Sequence, residues 1–127
     1  MRLLLDTQVV LWRMHGTPTL SGEASERIGG AEELLVSVVS FVEIGVKAAT
    51  GKLRIPAGLR RHVLDSGARI LNLAPEHGLG IAELPLHHRD PFDRLLIAQA
   101  RLGGLTIVTA DRQFARYDVP VVLAGAS

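Results

Sequence analysis

The sequence predicts an α/β domain with a central, mostly parallel sheet of about five strands and helices on both faces. Three observations carry this expectation. Short apolar runs alternate with capped helical segments along the whole chain, and that order implies right-handed βαβ crossovers and a parallel sheet. The runs are continuously apolar, as strands covered on both faces read. No repeat, low-complexity tract or long linker divides the 127 residues, so one compact domain spanning 1–127 is expected. A chain near this length removes roughly two thirds of its unfolded surface from water.

Arg2–Leu5 is the first strand and stops at Asp6. Val9–Met14 reads as a helix broken by the Gly16–Pro18 region, and Ser21 caps a second helix that runs through Arg27 to Gly29-Gly30. Leu34–Val39 is β-branched and apolar, a second strand. Ser40-Phe41-Val42-Glu43 has the form of a capping box and is expected to open a helix ending near Thr50-Gly51. Leu59–Ser66 reads as a helix and Ile70–Leu73 as a third strand; Pro75 begins a helix that ends before Pro85. The clearest helix is Phe92–Leu102, with Asp90 as cap, Pro91 in the first turn and Gly103-Gly104 beyond. Leu105–Thr109 is a fourth strand, Arg112–Arg116 a short helix and Val119–Leu123 a fifth strand.

Composition narrows the chemistry. Aromatic residues make up only 4% of the chain, so the core must be largely aliphatic. Cysteine is absent, which excludes disulfides, thiolate nucleophiles and sulfur-bound zinc. An acid at position 6 interrupts the N-terminus too early for a signal peptide. No apolar run approaches the roughly 18 residues of a membrane helix. A cytoplasmic protein is expected, neither exported nor membrane-inserted.

The acids fall where ligands bind in parallel sheets, outside the carboxyl ends of the strands. Asp6 follows the first strand, and Glu43 falls in the first turn of the helix after the second. Asp93 lies in the first turn of the helix before the fourth strand, and Asp111 just past that strand. Each alone has a structural explanation as a cap, a dipole partner or, for Glu43, a pairing with Lys47. Capping does not require all four on one edge. Crowded carboxylates repel and lose hydration, and hard oxygen ligands select Mg²⁺, with Mn²⁺ able to substitute. Asp6, Glu43, Asp93 and Asp111 together are the expected site of such an ion. One or two ions could bind, and the chemistry implied is hydrolysis of a phosphodiester.

Net charge is only +1, yet its distribution suits a polyanion. Of 13 acids, setting aside Asp6, Glu43, Asp90, Asp93 and Asp111 leaves eight against 14 Lys and Arg. Thr7, Ser40 and Thr109 flank the acids and could hold a water or a carboxylate oxygen. The basic residues Lys47, Lys52, Arg54, Arg60 and Arg61 could meet phosphates, although a solvated face explains such a run as well. His15, His62 and His77 show no metal-ligand spacing, and His87-His88 reads as a surface loop.

Leu4-Leu5-Asp6-Thr7, Ser40 through Glu43 with Lys47, Gly51-Lys52-Leu53, Asp90 through Ala98 and Thr109-Ala110-Asp111 together resemble the PIN-domain toxins of the VapC type. The resemblance implies a PIN-like fold and a Mg²⁺-dependent endoribonuclease acting on structured RNA such as transfer or ribosomal RNA. It also implies a toxin role, a cognate antitoxin protein and homodimerisation. Asp6 and Asp93 match the principal metal ligands, and Glu43 and Asp111 the completing acids, while Asp90 takes a supporting or capping place. Gln8 departs from the small polar residue or histidine common in relatives, and Val42 from a frequent tryptophan.

Other acid-based folds fit less well. A dehalogenase-type phosphatase wants an acid where Gln8 stands. A receiver domain wants paired acids at one strand end and a late lysine. The alternative that remains is a catalytically silent PIN-fold module that binds RNA or protein.

Overall fold

A computed structural model describes residues 1–16 and 20–125. Five strands, β1 (Arg2–Leu5), β2 (Glu33–Ser37), β3 (Arg69–Leu71), β4 (Thr106–Thr109) and β5 (Val121–Leu123), form one sheet. All neighbours are parallel and the order is β3-β2-β1-β4-β5. Six α-helices connect them: α1 (Thr7–His15), α2 (Gly22–Gly29), α3 (Val38–Ala49), α4 (Leu59–Asp65), α5 (Pro75–Gly80) and α6 (Pro91–Gly103). Single 3₁₀ turns occupy Ile81–Glu83 and Arg112–Arg116.

The two-residue period of the strands divides the core. Leu5 is in register with Val36 and Val108, and Val108 with Val122. This row packs with Val9, Val10, Ala24, Leu59 and Val63 from α1, α2 and α4. Leu4 pairs with Leu35 and Ile107 on the opposite face. That row meets Leu96, Ile97 and Ala100 of α6, with Phe114 and Tyr117. Both faces are covered, which is why the central residues of these strands are apolar in succession rather than at every second position. The core is aliphatic apart from Phe114 and Tyr117.

Chain order sets the position of the crevice. From β1 the chain moves outward to β2 and β3, then returns to place β4 on the other side of β1. Connections leaving β1 and β4 therefore diverge, and a cleft opens at their carboxyl ends. Asp6 and Asp111 follow those two strands.

Helix ends follow their local chemistry with one correction. Ser21 caps α2 by accepting the Ala24 N–H at 3.1 Å, and Asp90 caps α6 by accepting from Phe92 and Asp93. Gly104, at φ 65°, takes the left-handed conformation that ends α6, and Gly16 does the same for α1 at φ 64°. Of the expected Gly16–Pro18 break, Thr17 and Pro18 lie outside the described residues.

The correction concerns α3. Its cap is Ser37, not Ser40, so the second strand stops two residues before its expected end at Val39. Ser37 Oγ accepts the Val39 N–H at 3.0 Å and donates to Oε1 of buried Gln99 in α6 at 2.6 Å. That tertiary partner favours the earlier start. Ser40 lies inside the first turn, buried, and its Oγ accepts a hydrogen bond from Thr7 at 2.9 Å. Glu43 consequently sits in the second turn and closes no capping box.

Ser37→Ala should therefore destabilise the protein by about 2 kcal/mol, through a lost cap and an unsatisfied Gln99 oxygen. Ser40→Ala should cost less, on the order of 1 kcal/mol, the scale of one hydrogen bond. Denaturant unfolding of both variants checks the order, which would reverse if Ser40 were the cap.

Candidate active site

Five acids line one cleft of about 200 Å³ at the carboxyl edge of the sheet: Asp6, Glu43, Asp90, Asp93 and Asp111. Lys47 contributes a cation, Gln8 and Thr7 polar groups, and Leu11, Leu53 and Phe114 apolar walls. The four acids expected to converge do so, from β1, α3, α6 and the segment after β4.

Each acid is held differently. Asp6 is 6% exposed. Its Oδ1 accepts the Val9 N–H at 2.9 Å, capping α1, and its Oδ2 accepts the hydroxyl of Thr109. Thr109 also accepts the Asp111 N–H at 3.0 Å, so one threonine couples the acids after β1 and β4. Glu43 is 4% exposed. Its Oε2 accepts from Lys47 Nζ at 2.7 Å, the expected pairing one turn on, while Oε1 is buried without a hydrogen-bond partner. Asp90 caps α6 as expected. Asp111 caps the following 3₁₀ turn through Gln113 N–H at 2.9 Å. Capping and convergence coexist, so neither explanation displaces the other.

The electrostatics follow from crowding. Burial pushes Asp6 up to about 6, against the lowering hydrogen bonds of Thr109 and Val9 and with Glu43 and Asp111 adding to the rise. Burial also pushes Asp93 up to about 8, with Asp90 the largest charge contribution, then Glu43, Asp6 and Asp111. Lys47 moves up, chiefly through its hydrogen bond to Glu43. One lysine against five carboxylates leaves the cleft short of positive charge. The orphaned Glu43 Oε1 and the resisted ionisation of Asp6 and Asp93 are what a hard divalent cation would relieve. The donor set fits such an ion.

His88 was missed by the sequence reading. It lies in the expected loop, but its side chain is turned inward, 12% exposed, with Nε2 3.4 Å from Asp93 Oδ2. One ligand atom each from His88, Asp93 and Asp111 lie within 4.8 Å of one another. Asp6 lines the same cleft outside that trio. Arg94 was missed as well: it is buried and donates to the carbonyls of Ile81, Leu84 and Pro85 and to Tyr117 Oη. Neither residue has a sequence signal beyond its closeness to the Asp90–Asp93 run. Lys52, Arg54, Arg60 and Arg61 are exposed and do not line the cleft, and Val42 is 50% exposed on α3.

A parallel sheet of this order with acids at its switch point defines a class. Residues 3–120 match the family model of the PIN domain, and the chain belongs to that family. Over 121 residues, 93% of this chain and 93% of the relative, it is 31% identical to Ribonuclease VapC22 of Mycobacterium tuberculosis (strain ATCC 25618 / H37Rv). The fold is also that of VapBC2 from Rickettsia felis, solved bound to a DNA fragment from its promoter. That match has a TM-score of 0.73 at 13% identity over 98% of this chain and 99% of the other. DNA-bound VapBC from Salmonella typhimurium matches with a TM-score of 0.69 at 17% identity, over 96% and 97%.

Two outcomes test the electrostatics. Asp6 and Asp93 have folded pKa values raised above the ordinary 3.8, so folding takes up protons. Their contribution is most favourable below about pH 4 and is lost as pH rises through about 6 and then about 8. Thermal unfolding in chelator should therefore show stability falling between pH 4 and 8 more steeply in wild type than in Asp93→Asn. Saturating Mg²⁺ should flatten the wild-type curve.

Glu43→Gln separates charge from structure. The helix keeps its Ser37 cap, and loss of the Lys47 pairing costs only about 0.2–0.5 kcal/mol. Relief of repulsion offsets this, so the metal-free variant should unfold at or above the wild-type temperature, while Mg²⁺ stabilises it less. A large loss of metal-free stability would mark Glu43 as structural.

Proposed function

We propose that this protein is a Mg²⁺- or Mn²⁺-dependent endoribonuclease and the toxin of a toxin–antitoxin pair. The observation that carries the reading is the cleft itself: four carboxylates from four separate segments, with one buried oxygen unpartnered and two acids resisting ionisation. The relatedness to Ribonuclease VapC22 supports RNA as the substrate, and the likeness to VapBC complexes supports an antitoxin partner.

In this reading Asp6, Asp93 and Asp111 hold the metal, and all four acids, Glu43 included, serve the reaction. The bound ion supplies positive charge that neutralises the scissile phosphate and acidifies water. Asp6 is oriented by Thr109 and by the start of α1, so its carboxylate is set before a ligand arrives. Glu43 lines the cleft with Oε2 paired to Lys47 and Oε1 unpaired, and in this reading it accepts a proton from an attacking water. Lys47, 43% exposed at its side chain, can meet a phosphate oxygen. The eight acids outside the cleft, against twelve Lys and Arg once Lys47 of the cleft and buried Arg94 are set aside, favour a polyanion over the wider surface.

Among the described residues no helix is long and apolar enough to cross a membrane. We place the protein in the cytoplasm, where RNA and an antitoxin would meet it. We also propose a homodimer: exposed Val42 and Val46 lie one turn apart on α3, an apolar stripe in need of cover. Light scattering that showed only monomer would overturn that state.

The central test is cleavage of a mixed RNA pool. Hydrolysis should require Mg²⁺ or Mn²⁺ and stop in excess chelator, and Asp6→Asn, Asp93→Asn or Glu43→Gln should each lower it by orders of magnitude. Full cleavage in chelator would sink the metal mechanism. No cleavage with either ion would leave a silent binding module.

A further inference from the structure

His88 lies at the edge of the acidic cleft with a ring orientation that its neighbours decide. Its Nδ1 is 2.8 Å from Tyr117 Oη. That phenolic oxygen already accepts from Arg94 Nη1 at 3.2 Å and from the His88 backbone N–H at 3.3 Å. A guanidinium and a backbone amide can only donate, so both occupy the oxygen's lone pairs. What Tyr117 has left is its own O–H, and His88 Nδ1 is the acceptor within reach. A nitrogen that accepts carries no proton, so the neutral ring carries its proton on Nε2.

Nε2 is buried, without a hydrogen-bond partner, 3.4 Å from Asp93 Oδ2. That separation is slightly beyond the usual N–H···O range and lacks its alignment. The donor is thus poised a few tenths of an ångström from the carboxylate. His88 does not itself line the cleft, but its ligand atom lies within 4.8 Å of those of Asp93 and Asp111, which do. The ring packs against Phe114 and Tyr117, whose centroids lie 6.0 and 5.4 Å away.

We infer that His88 is a positioning residue for Asp93: Arg94 and Tyr117 fix its proton on Nε2, 3.4 Å from Asp93 Oδ2, and that N–H closes on Oδ2 when the carboxylate takes up a cation, leaving Oδ1 to the ion. The inference rests on the reading of Asp93 as a metal ligand. It excludes the other use the trio of His88, Asp93 and Asp111 suggests, in which Nε2 itself binds the ion, because a protonated nitrogen has no lone pair to give. Partners that orient a ligating side chain in this way typically change metal affinity by about 10–100-fold when lost.

Three measurements on the whole protein test it. Nitrogen-15 NMR of the neutral His88 ring, with and without Mg²⁺, should place the proton on Nε2; a proton on Nδ1 overturns the inference. Pulsed electron paramagnetic resonance with Mn²⁺ should show no directly bound imidazole nitrogen in wild type, and such a coupling, absent in His88→Gln, would make His88 a ligand instead. Mg²⁺ titration by calorimetry should give an affinity about 10–100-fold weaker for His88→Leu. His88→Gln, which keeps an N–H near the position of Nε2, should remain close to wild type. Equal affinity in all three proteins overturns the inference. If His88→Leu fails to fold, the tautomer in wild type decides alone. Wild type that binds Mg²⁺ through this arrangement yet leaves RNA intact would defeat the nuclease reading and leave the His88 assignment standing.

Discussion

The arrangement of the carboxyl edge is governed by the burial of acids that the fold also crowds together. Two like charges 4 Å apart cost about 4 kcal/mol at an effective dielectric of 20. The surrounding structure is organised to limit that cost. Thr109 and the start of α1 each take one oxygen of Asp6, and Lys47 takes one of Glu43. Asp90 turns an oxygen toward the first N–H groups of α6. The remainder is left as suppressed ionisation of Asp6 and Asp93, a deficit that a cation would fill.

A second buried charge builds the wall of the same site. Arg94, one residue after Asp93, is 7% exposed. Burying a guanidinium without partners would be costly, and here its donors are met by three carbonyls of the segment from Ile81 to Pro85 and by Tyr117. That irregular segment is thereby fixed to α6. His88 is carried with it, so a packing interaction and the placement of a polar group beside Asp93 share one cause.

The start of α3 shows where local reading stops. Both Ser37 and Ser40 precede plausible helical residues, and the Ser40–Glu43 spacing satisfies the capping-box pattern. What separates them is Gln99, 62 residues away, which accepts from Ser37. A local pattern holds no information about a partner that distant. The histidines repeat the lesson. Neighbouring His87 and His88 have no ligand spacing along the chain, and only the approach of Tyr117 and Asp93 gives His88 a defined environment.

By itself the sequence determined what depends on nearest neighbours and on period: strands with unbroken apolar centres, helices with Asp90, Ser21 and Gly104 at their ends, and hence a two-faced parallel sheet. The family was legible too, because the Asp90–Ala98 run and the acids at strand ends follow from positions along the chain. The convergence of Asp6, Glu43, Asp93 and Asp111 could be anticipated because strand order in a parallel sheet puts all those loops on one edge. Tertiary structure alone decided the quantities that vary with distance in three dimensions. These are which acids are buried, which oxygen is left unpaired, how far each ionisation is displaced and which nitrogen of His88 faces Asp93. Electrostatic and hydrogen-bond energies change over tenths of an ångström, whereas sequence spacing resolves position only to about a turn of helix.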